Sequence, residues 1–262
     1  MKTNYHTHTE RCHHAHGSDE AYVLSAIEGG FKVLGFSDHC CWKYADKNFK
    51  SRIRMSVEEF DDYYNSIIYL KEKYKDQIDI KIGMEAEYFP KYLSWMKEFV
   101  KEKHIDYLIL GNHYFESDEY GAYYGYGCEE DELLVQYAND IEAALKTGLY
   151  SYVCHPDLFM RGRSEFDDLC KKVSLKICNI AKELDIPLEY NLAGLQVSEM
   201  MHTDIYPHPK FWEIAASVGN KVIIGVDAHD NRALSNTYYY DKAVKTLEKL
   251  GMERVENIDY KF

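Results

Sequence analysis

Short apolar runs alternate along the chain with longer stretches in which apolar residues recur at helical spacing. We predict the runs to be strands at Thr3–Tyr5, Val33–Ser37, Ile80–Glu85, Tyr107–Gly111, Ser151–Cys154, Pro187–Tyr190 and Val222–Val226. We predict the intervening stretches to be helices at Glu20–Gly29, Val57–Tyr74, Leu93–Lys103, Glu130–Thr147, Phe166–Leu184, Pro209–Val218 and Tyr240–Leu250. Ser56 and Glu59 have the spacing of a capping box at the start of the second helix.

This alternation indicates an α/β protein with parallel strands and crossover helices. Seven units favour a closed or nearly closed barrel, and an open doubly wound sheet is the alternative. The 262 residues contain no repeat of 20–50 residues, no low-complexity tract and no Pro/Gly-rich linker. We therefore predict a single domain over residues 1–262.

Polar side chains follow almost every predicted strand, where the active site of such a barrel lies. One histidine or acidic residue at a strand end could occur by chance, but such residues at nearly all the strand ends are much less readily explained by chance. The residues at these positions are His6, His8, Asp38, His39, Glu85, Glu87, Asn112, His113, His155, Asp157, Asn191, Asp227 and His229.

Two histidine-rich segments near the start of the chain indicate metal binding. His6 and His8 lie two residues apart on an extended backbone, so both imidazoles project to one side and can bind one ion. Alone, this pair could equally be an exposed strand end or a tag fragment. The segment 12–17 holds three more histidines, and is either a solvated loop or a loop that adds one imidazole to the site.

Composition excludes several classes of protein. The net charge of −13, from 44 acidic and 31 basic residues, argues against binding to nucleic acid. It would also repel a small phosphate ester unless divalent ions made the site locally positive. No run of about 18 apolar residues predicts a membrane span. The N-terminus does not resemble a signal peptide, and the seven cysteines show no CxxC spacing, so we expect reduced thiols and a cytoplasmic location.

Seven short segments across the whole chain share the pattern of an apolar strand followed by His, Asp, Glu or Asn. They are His6-Thr7-His8-Thr9, Gly35-Phe36-Ser37-Asp38-His39, Gly83-Met84-Glu85-Ala86-Glu87, Leu110-Gly111-Asn112-His113-Tyr114-Phe115, His155-Pro156-Asp157-Leu158, Glu189-Tyr190-Asn191-Leu192-Ala193-Gly194-Leu195 and Gly225-Val226-Asp227-Ala228-His229. These segments resemble the PHP (polymerase and histidinol phosphatase) family, and within it the histidinol-phosphate phosphatase branch. The resemblance implies a distorted (β/α)7 barrel with three divalent metal ions at the C-terminal ends of the strands.

The resemblance also implies how the ligands are shared. One loop imidazole completes the third site, and we favour His14 for its distance from the first histidine pair, with His13 and His16 as alternatives. The implied sets are His6, His8, Glu85 and Asp227 for the first ion, Glu85, His113 and His155 for the second, and His39, His229 and His14 for the third.

The chemistry of these side chains agrees with that division. Imidazole and carboxylate ligands together suit Zn, Fe or Mn and do not choose among them. Glu85 can bridge two ions about 3.5–4 Å apart, the spacing that activates a shared hydroxide. Asp38 and Asp157 are candidates for orienting the imidazoles, and the alternative for both is helix capping or loop solvation.

The implied reaction is hydrolysis of L-histidinol phosphate to L-histidinol and phosphate in histidine biosynthesis, by in-line attack of a metal-bridging hydroxide. Arg161, and after it Arg163, is expected to grip the phosphate, unless both are solvated loop charges. Asp38 or a histidine at the mouth could protonate the leaving group. Phe115 and nearby tyrosines could stack on the substrate imidazole.

Three other functions are alternatives to hydrolysis of histidinol phosphate. The same metals could hydrolyse another small phosphate ester or a nucleotide, and nothing in the sequence excludes this. A polymerase-associated nucleic-acid module is disfavoured by the short chain and its negative charge. A regulatory metal protein without catalysis is disfavoured by the complete set of ligands.

Overall fold

Seven parallel strands form one sheet in the computed structural model, which describes residues 1–262, and their order in the sheet follows the chain. Each strand pairs in parallel with its neighbour, as Thr3 of the first strand does with Val33 of the second. The strands are β1 Thr3–Asn4, β2 Val33–Phe36, β3 Asp79–Ala86, β4 Tyr107–Leu110, β5 Tyr150–Val153, β6 Leu188–Asn191 and β7 Val222–Gly225.

Helices connect the strands. The α-helices are α1 Asp19–Glu28, α2 Phe60–Lys73, α3 Leu93–Glu102, α4 Tyr124–Gly127, α5 Asp131–Lys146, α6 Asp168–Glu183, α7 Leu192–Met201, α8 Pro209–Val218, α9 Arg232–Ser235 and α10 Tyr238–Lys249. Single 3₁₀ turns lie at Glu10–Cys12, Val57–Glu59, Pro90–Tyr92 and Leu158–Gly162. No helix combines the length and the apolar character that a membrane crossing requires.

The sheet curls until its first and last strands meet. Beyond the ends of β1 and β7, the His8 amide donates to the Ala228 carbonyl at 3.0 Å, and the Ala228 amide donates to the His6 carbonyl at 3.3 Å. The Asn4 side chain accepts a hydrogen bond from the Val226 amide at 2.8 Å. The predicted (β/α)7 barrel is therefore confirmed, and the open sheet is excluded.

An apolar cluster fills the lower part of the barrel. Tyr107 is fully buried there, and its hydroxyl donates to the carbonyls of Tyr5 at 2.8 Å and Phe36 at 3.1 Å. Ile258, from the C-terminal segment, packs into the same cluster. A larger apolar cluster lies between the sheet and the helices. Because the interior is apolar below, the polar interior residues are concentrated at the carboxyl ends of the strands.

Most predicted elements agree with the structure to within two residues. Val57–Glu59 forms a 3₁₀ turn rather than the first turn of α2, and the capping box of Ser56 and Glu59 is present. Helix α7 was not predicted, because its residues lack a clear polar face. It begins at Asn191, whose side chain accepts a hydrogen bond from the Gly194 amide at 2.8 Å.

Candidate metal centre and cavity

The residues that follow the seven strands come together at one end of the barrel. Every side chain predicted as a metal ligand lies in this cluster, which we call the metal centre. Most of these side chains are buried, although His14 is exposed and His229 is partly exposed. The cluster contains His6, His8, His14, His39, Glu85, His113, His155, Asp227 and His229.

Glu85 lies in the middle of the metal centre and is 1% exposed. Its Oε1 atom is 2.9 Å from His155 Nε2 and 3.3 Å from His113 Nε2. Its Oε2 atom is 2.9 Å from His39 Nδ1 and 3.5 Å from His8 Nε2. His6 Nε2 is 3.5 Å from Oε1, so one carboxylate contacts imidazoles assigned to more than one ion, as a bridging ligand must.

Four donors have the spacing of a tetrahedral metal site. His6 Nε2 and His8 Nε2 are 3.1 Å apart, and they lie 3.4 and 3.3 Å from Asp227 Oδ1. His6 Nε2 is also 3.5 Å from Glu85 Oε1, and His8 Nε2 is 3.5 Å from Glu85 Oε2. Ligands about 2.0–2.2 Å from an ion in a tetrahedral arrangement are separated by about 3.3–3.6 Å. The four side chains therefore fit one ion between them.

The loop histidine of the metal centre is His14. Its ring stacks on His229 with a centroid distance of 4.7 Å and on His39 at 5.5 Å. The nitrogen donors of these three side chains lie within 4.8 Å of one another. His13 and His16 do not line the cavity above the metal centre. The structure thus favours the predicted register of the loop.

The histidines of the metal centre differ in their protonation. Partial burial of the ring lowers the pKa of His14 to about 4, and burial lowers the pKa of His39 to about 3. For three others the neighbouring carboxylates outweigh burial: the pKa rises to about 9 for His113 and lies well above its usual value for His6 and His8. The surrounding histidines hold the pKa of Glu85 well below its usual value despite burial. Because a divalent ion binds neutral imidazole and ionised carboxylate, its binding must displace protons from the second group of histidines.

Five buried polar atoms of the metal centre make no hydrogen bond of normal geometry. They are Glu85 Oε2, Asp227 Oδ1, His39 Nδ1, His155 Nδ1 and His229 Nε2. Buried polar atoms normally have partners, because leaving one without a hydrogen bond costs about 1–3 kcal/mol. All five belong to predicted ligands, and Glu85 Oε2 and His39 Nδ1 face each other at 2.9 Å, which suits donors that share one metal centre. The side chains present therefore fit the metals that the sequence predicts.

Glu189 supports the metal centre from behind, in a role that its sequence position alone did not predict. Its Oε1 lies 2.8 Å from His6 Nδ1, and its Oε2 accepts hydrogen bonds from the His155 amide at 3.0 Å and Asn191 Nδ2 at 2.9 Å. Gly225 leaves room for it, since a Cβ there would lie 1.8 Å from Glu189 Oε1. The available signal was an acidic residue inside a fully buried strand.

A cavity of about 630 Å³ opens above the metal centre. Arg161 lies on its wall, where its Nη2 donates to the Tyr126 hydroxyl at 2.9 Å. The guanidinium carbon is 5.2 Å from the ring centre of Tyr126 and 6.0 Å from that of Tyr123. The remaining wall is apolar and aromatic, and consists of Ile53, Tyr114, Leu158, Ala193 and Tyr206.

Comparison with known families identifies the chain. A family model described as PHP domain matches residues 4–193, which include every predicted ligand except Asp227 and His229. The chain belongs to the PHP family. The family predicted from the sequence segments is thereby confirmed, and its metal-dependent character agrees with the donor set described above.

Relatives and solved structures extend the match beyond the PHP model. The chain is 26% identical to a Deinococcus radiodurans protein named probable histidinol-phosphatase, over 94% of this chain and 92% of the relative. It is 26% identical to the histidinol-phosphatase of Bacillus subtilis, over 45% and 46%. A crystal structure of Lactococcus lactis histidinol phosphate phosphatase with Zn, L-histidinol and phosphate superposes with a TM-score of 0.76 at 20% identity, covering 98% of both chains. This superposition confirms the fold.

Asp38 does not have the catalytic position in this PHP site that the sequence suggested. Its Oδ1 is 3.3 Å from His8 Nδ1 and accepts a hydrogen bond from the His39 amide at 2.8 Å, while its Oδ2 accepts one from the Thr9 amide at 3.1 Å. The side chain is fully buried and does not line the cavity. Asp38 therefore orients His8 from behind and cannot reach a leaving group.

Asp157 does not support a metal ligand. Its Oδ2 accepts a hydrogen bond from the His208 amide at 2.6 Å, and burial raises the pKa of this carboxyl to about 7. The predicted alternatives, helix capping and loop solvation, do not describe it either, because the side chain is fully buried and makes no capping hydrogen bond to the turn Leu158–Gly162. The carboxylates behind the imidazoles are instead Asp38, Glu189 and Glu87, the last of which lies 3.0 Å from His113 Nδ1.

Two predicted substrate contacts lie outside the PHP cavity. Arg163 is held by Asp131, at 2.8 Å from its Nη1, and by Asp167. These two carboxylates direct its guanidinium away from the cavity. Phe115 packs against the apolar core, near Tyr124, and does not line the wall. Of the predicted substrate contacts, Arg161 and the loop tyrosines Tyr123 and Tyr126 face the cavity.

Proposed function

We propose that this protein hydrolyses L-histidinol phosphate to L-histidinol and phosphate, a reaction of histidine biosynthesis. The observation that carries the proposal is the cavity, which joins a cluster of nine side chains that could hold metal ions to one arginine and an aromatic wall. The relatives named histidinol-phosphatase support the same substrate, and one of them aligns over nearly the whole chain. The chain is accordingly a phosphatase that depends on metal ions.

We assign three divalent ions, Zn, Fe or Mn, to the metal centre. The spacing of His6, His8, Asp227 and Glu85 supports one ion, and the approach of His113 and His155 to Glu85 Oε1 supports a second. The stacked loop and mouth histidines support a third. The assigned sets are His6, His8, Glu85 and Asp227, then Glu85, His113 and His155, and then His14, His39 and His229.

When bound, the ions supply positive charge for the phosphate oxygens and lower the pKa of a coordinated water, so that hydrolysis proceeds near neutral pH. Arg161 adds a cationic contact from the wall, and its guanidinium can grip two phosphate oxygens. The contact with Tyr126 fixes the direction of this guanidinium. Glu85 and Asp227, both anionic, offset the charge of the ions.

The aromatic wall suits the organic part of the substrate. Tyr114, Tyr123 and Tyr206 line the cavity within reach of the metal centre, and Tyr206 lies 6.4 Å from the ring of His155. Flat aromatic rings bind an imidazole by stacking and exclude water from it. We assign the substrate imidazole to this wall, in place of the contact with Phe115 that the sequence suggested.

Domain organisation, partners and location follow from the sequence and the cavity together. We propose one domain over residues 1–262, a small-molecule ester as the substrate, and no nucleic-acid partner, because a charge of −13 disfavours a phosphate backbone. A cytoplasmic location is consistent with the seven cysteines, all of which are free thiols.

A phosphate-release assay tests the proposed function. Protein loaded with Zn or Mn is offered histidinol phosphate, a nucleoside monophosphate, a sugar phosphate and a short oligonucleotide at equal concentration. We expect the largest kcat/KM for histidinol phosphate. A larger value for the nucleotide or the sugar phosphate would retain a metal phosphatase but replace the substrate. Hydrolysis of the oligonucleotide alone would contradict the proposal.

A further inference from the structure

A buried chain of charged side chains leads from the metal centre to the outer loops. His113 Nδ1 lies 3.0 Å from Glu87 Oε1. Arg54 grips the same carboxylate with both arms, from Nη2 to Oε1 at 2.7 Å and from Nη1 to Oε2 at 2.9 Å. Its Nε donates to Asp118 Oδ2 at 3.1 Å. Glu87 and Arg54 are 0% and 2% exposed, so no water competes for these contacts.

Each oxygen of Glu87 receives two hydrogen bonds. Oε1 accepts from His113 and Arg54, and Oε2 accepts from Arg54 and from Trp42 Nε1 at 3.0 Å. Both oxygens must therefore be acceptors, which only an ionised carboxylate allows. The planar guanidinium of Arg54 matches the carboxylate plane and leaves it little freedom to rotate.

This arrangement fixes the imidazole of His113. Because Glu87 can only accept, the Nδ1 atom of His113 carries the proton and donates it. The Nε2 atom then keeps its lone pair and faces Glu85 Oε1 at 3.3 Å, on the side assigned to the second ion. A carboxylate behind a histidine ligand sets its orientation and increases its basicity.

Arg54 also joins the loops that form the cavity wall. Its neighbour Ile53 lines the cavity, and its Nη1 donates to the Cys40 carbonyl at 3.1 Å. Asp118, which it contacts, belongs to the segment that carries His113 and accepts hydrogen bonds from Tyr44 at 2.6 Å and Ser51 at 2.8 Å. The same guanidinium thus holds the segment 40–56 against the segment 112–123.

We propose that Arg54 is a positioning residue, which holds the Glu87 carboxylate in the plane that orients His113 and so tightens binding of the ion held by His113 and His155. The inference rests on the proposed metal assignment. If the ion pair of Arg54 and Glu87 only stabilised the fold, changing it would lower the melting temperature without selectively loosening one ion.

The test measures retention of zinc. Zinc-loaded wild type, Glu87→Gln and Arg54→Lys are dialysed against graded chelator, and zinc per chain is measured together with the circular dichroism of each sample. Glu87→Gln places an amide NH₂ where an acceptor is required. Arg54→Lys keeps the positive charge but replaces the two guanidinium nitrogens that hold the Glu87 carboxylate with a single ammonium group. We expect both variants to bind one ion about 10–100-fold more weakly while the other ions stay as in wild type.

Arg163→Lys is the matched control. Arg163 is also held by two carboxylates, Asp131 and Asp167, but these lie outside the cavity. This variant should retain zinc as wild type does. Folded Glu87→Gln and Arg54→Lys proteins with wild-type retention of every ion would overturn the proposal, as would equal loosening of all ions.

A measurement on the wild type covers the case in which the variants do not fold. In zinc-loaded protein labelled with ¹⁵N-histidine, the His113 ring should carry its proton on Nδ1 and show a metal-shifted Nε2. A proton on Nε2 would overturn the proposal. Both tests use zinc alone, so their outcome is independent of whether histidinol phosphate is the substrate.

Discussion

Glu85 is the residue on which the proposed metal centre depends most. Its carboxylate contacts imidazoles at both oxygens, and the residue is 1% exposed to solvent. Gly111 makes this position possible, because a Cβ there would lie 2.1 Å from Glu85 Oε1. Loss of this carboxylate should therefore affect two ions, whereas loss of a single imidazole should affect one.

The first prediction concerns Glu85→Ala. We expect the purified variant to lose about two ions per chain and to release phosphate more than about 100-fold more slowly, since changes behind a ligand alone cost about 10–100-fold. Elemental analysis and the phosphate assay measure both effects. His14→Ala, prepared in parallel, should be less affected. Wild-type metal content and turnover in Glu85→Ala would rule out the bridging role.

The second prediction concerns the loop of three histidines. Of the three loop histidines, only His14 stacks on His39 and His229. His14→Ala should therefore lower the metal content by about one ion and reduce turnover sharply. Single changes at His13 and His16 should leave the metal content intact. If His16→Ala lost the ion and His14→Ala kept it, the register of the loop assigned here would be wrong by two residues.

The third prediction separates the two arginines. Arg161→Ala removes a charged contact to the phosphate, worth about 1.5–3 kcal/mol, so kcat/KM should fall about 10- to 100-fold. Arg163→Ala should leave kcat/KM near the wild-type value, because its guanidinium is bound to Asp131 and Asp167 outside the cavity. The reverse ranking in steady-state kinetics would refute the assignment of Arg161.

At the scale of single residues, the sequence predicts ligands better than it predicts their supports. A ligand must follow a strand and be His, Asp or Glu, and both conditions are visible in the sequence. The roles of Asp38, Arg163 and Phe115 depend on the direction in which each side chain points. That direction is set by tertiary partners, such as the carboxylates around Arg163, which lie more than 30 residues away or on a later helix.

At the scale of elements, strand ends position the ligands and helix starts are fixed by local caps. The strands were predictable because their apolar runs are bounded by polar residues. Helix α7 was not, since its apolar residues lie both on the buried side and on the exposed side, without a regular polar stripe. The backbone at His155 and Asp227 has positive φ values of 28° and 53°, and no local sequence pattern predicts them. Such conformations cost about 1–3 kcal/mol and persist only where the surroundings hold them.

The fourth prediction concerns the start of helix α6, outside the cavity. The Asp167 side chain caps this helix by accepting a hydrogen bond from the Cys170 amide at 2.8 Å. Asp167→Ala should lower the free energy of unfolding by about 0.5–2 kcal/mol, and Asp167→Asn, which keeps a capping oxygen, by less. Denaturant titration compares the two. Equal destabilisation would show that the Arg163 contact, and not the cap, accounts for the effect.

At the scale of the whole molecule, the net negative charge of the chain opposes binding of an anionic substrate, whereas the proposed site favours it. The chain carries a net charge of −13, yet the proposed substrate is an anion. The apparent conflict is resolved locally, because the proposed ions and Arg161 lie at the floor and wall of one cavity. Binding of the phosphate should therefore depend on the ions and on Arg161, and not on the net charge of this acidic molecule.

The fifth prediction, and the most direct test, is the dependence of histidinol phosphate hydrolysis on metal. Phosphate release is measured with one preparation as purified, after removal of metal by chelator, and after reloading with Zn, Mn or Fe. We predict that activity disappears on chelation, while circular dichroism shows the chain still folded, and that it returns with about three ions per chain. Full activity in the metal-free protein, or no hydrolysis of histidinol phosphate after reloading with any of the three metals, would contradict the account.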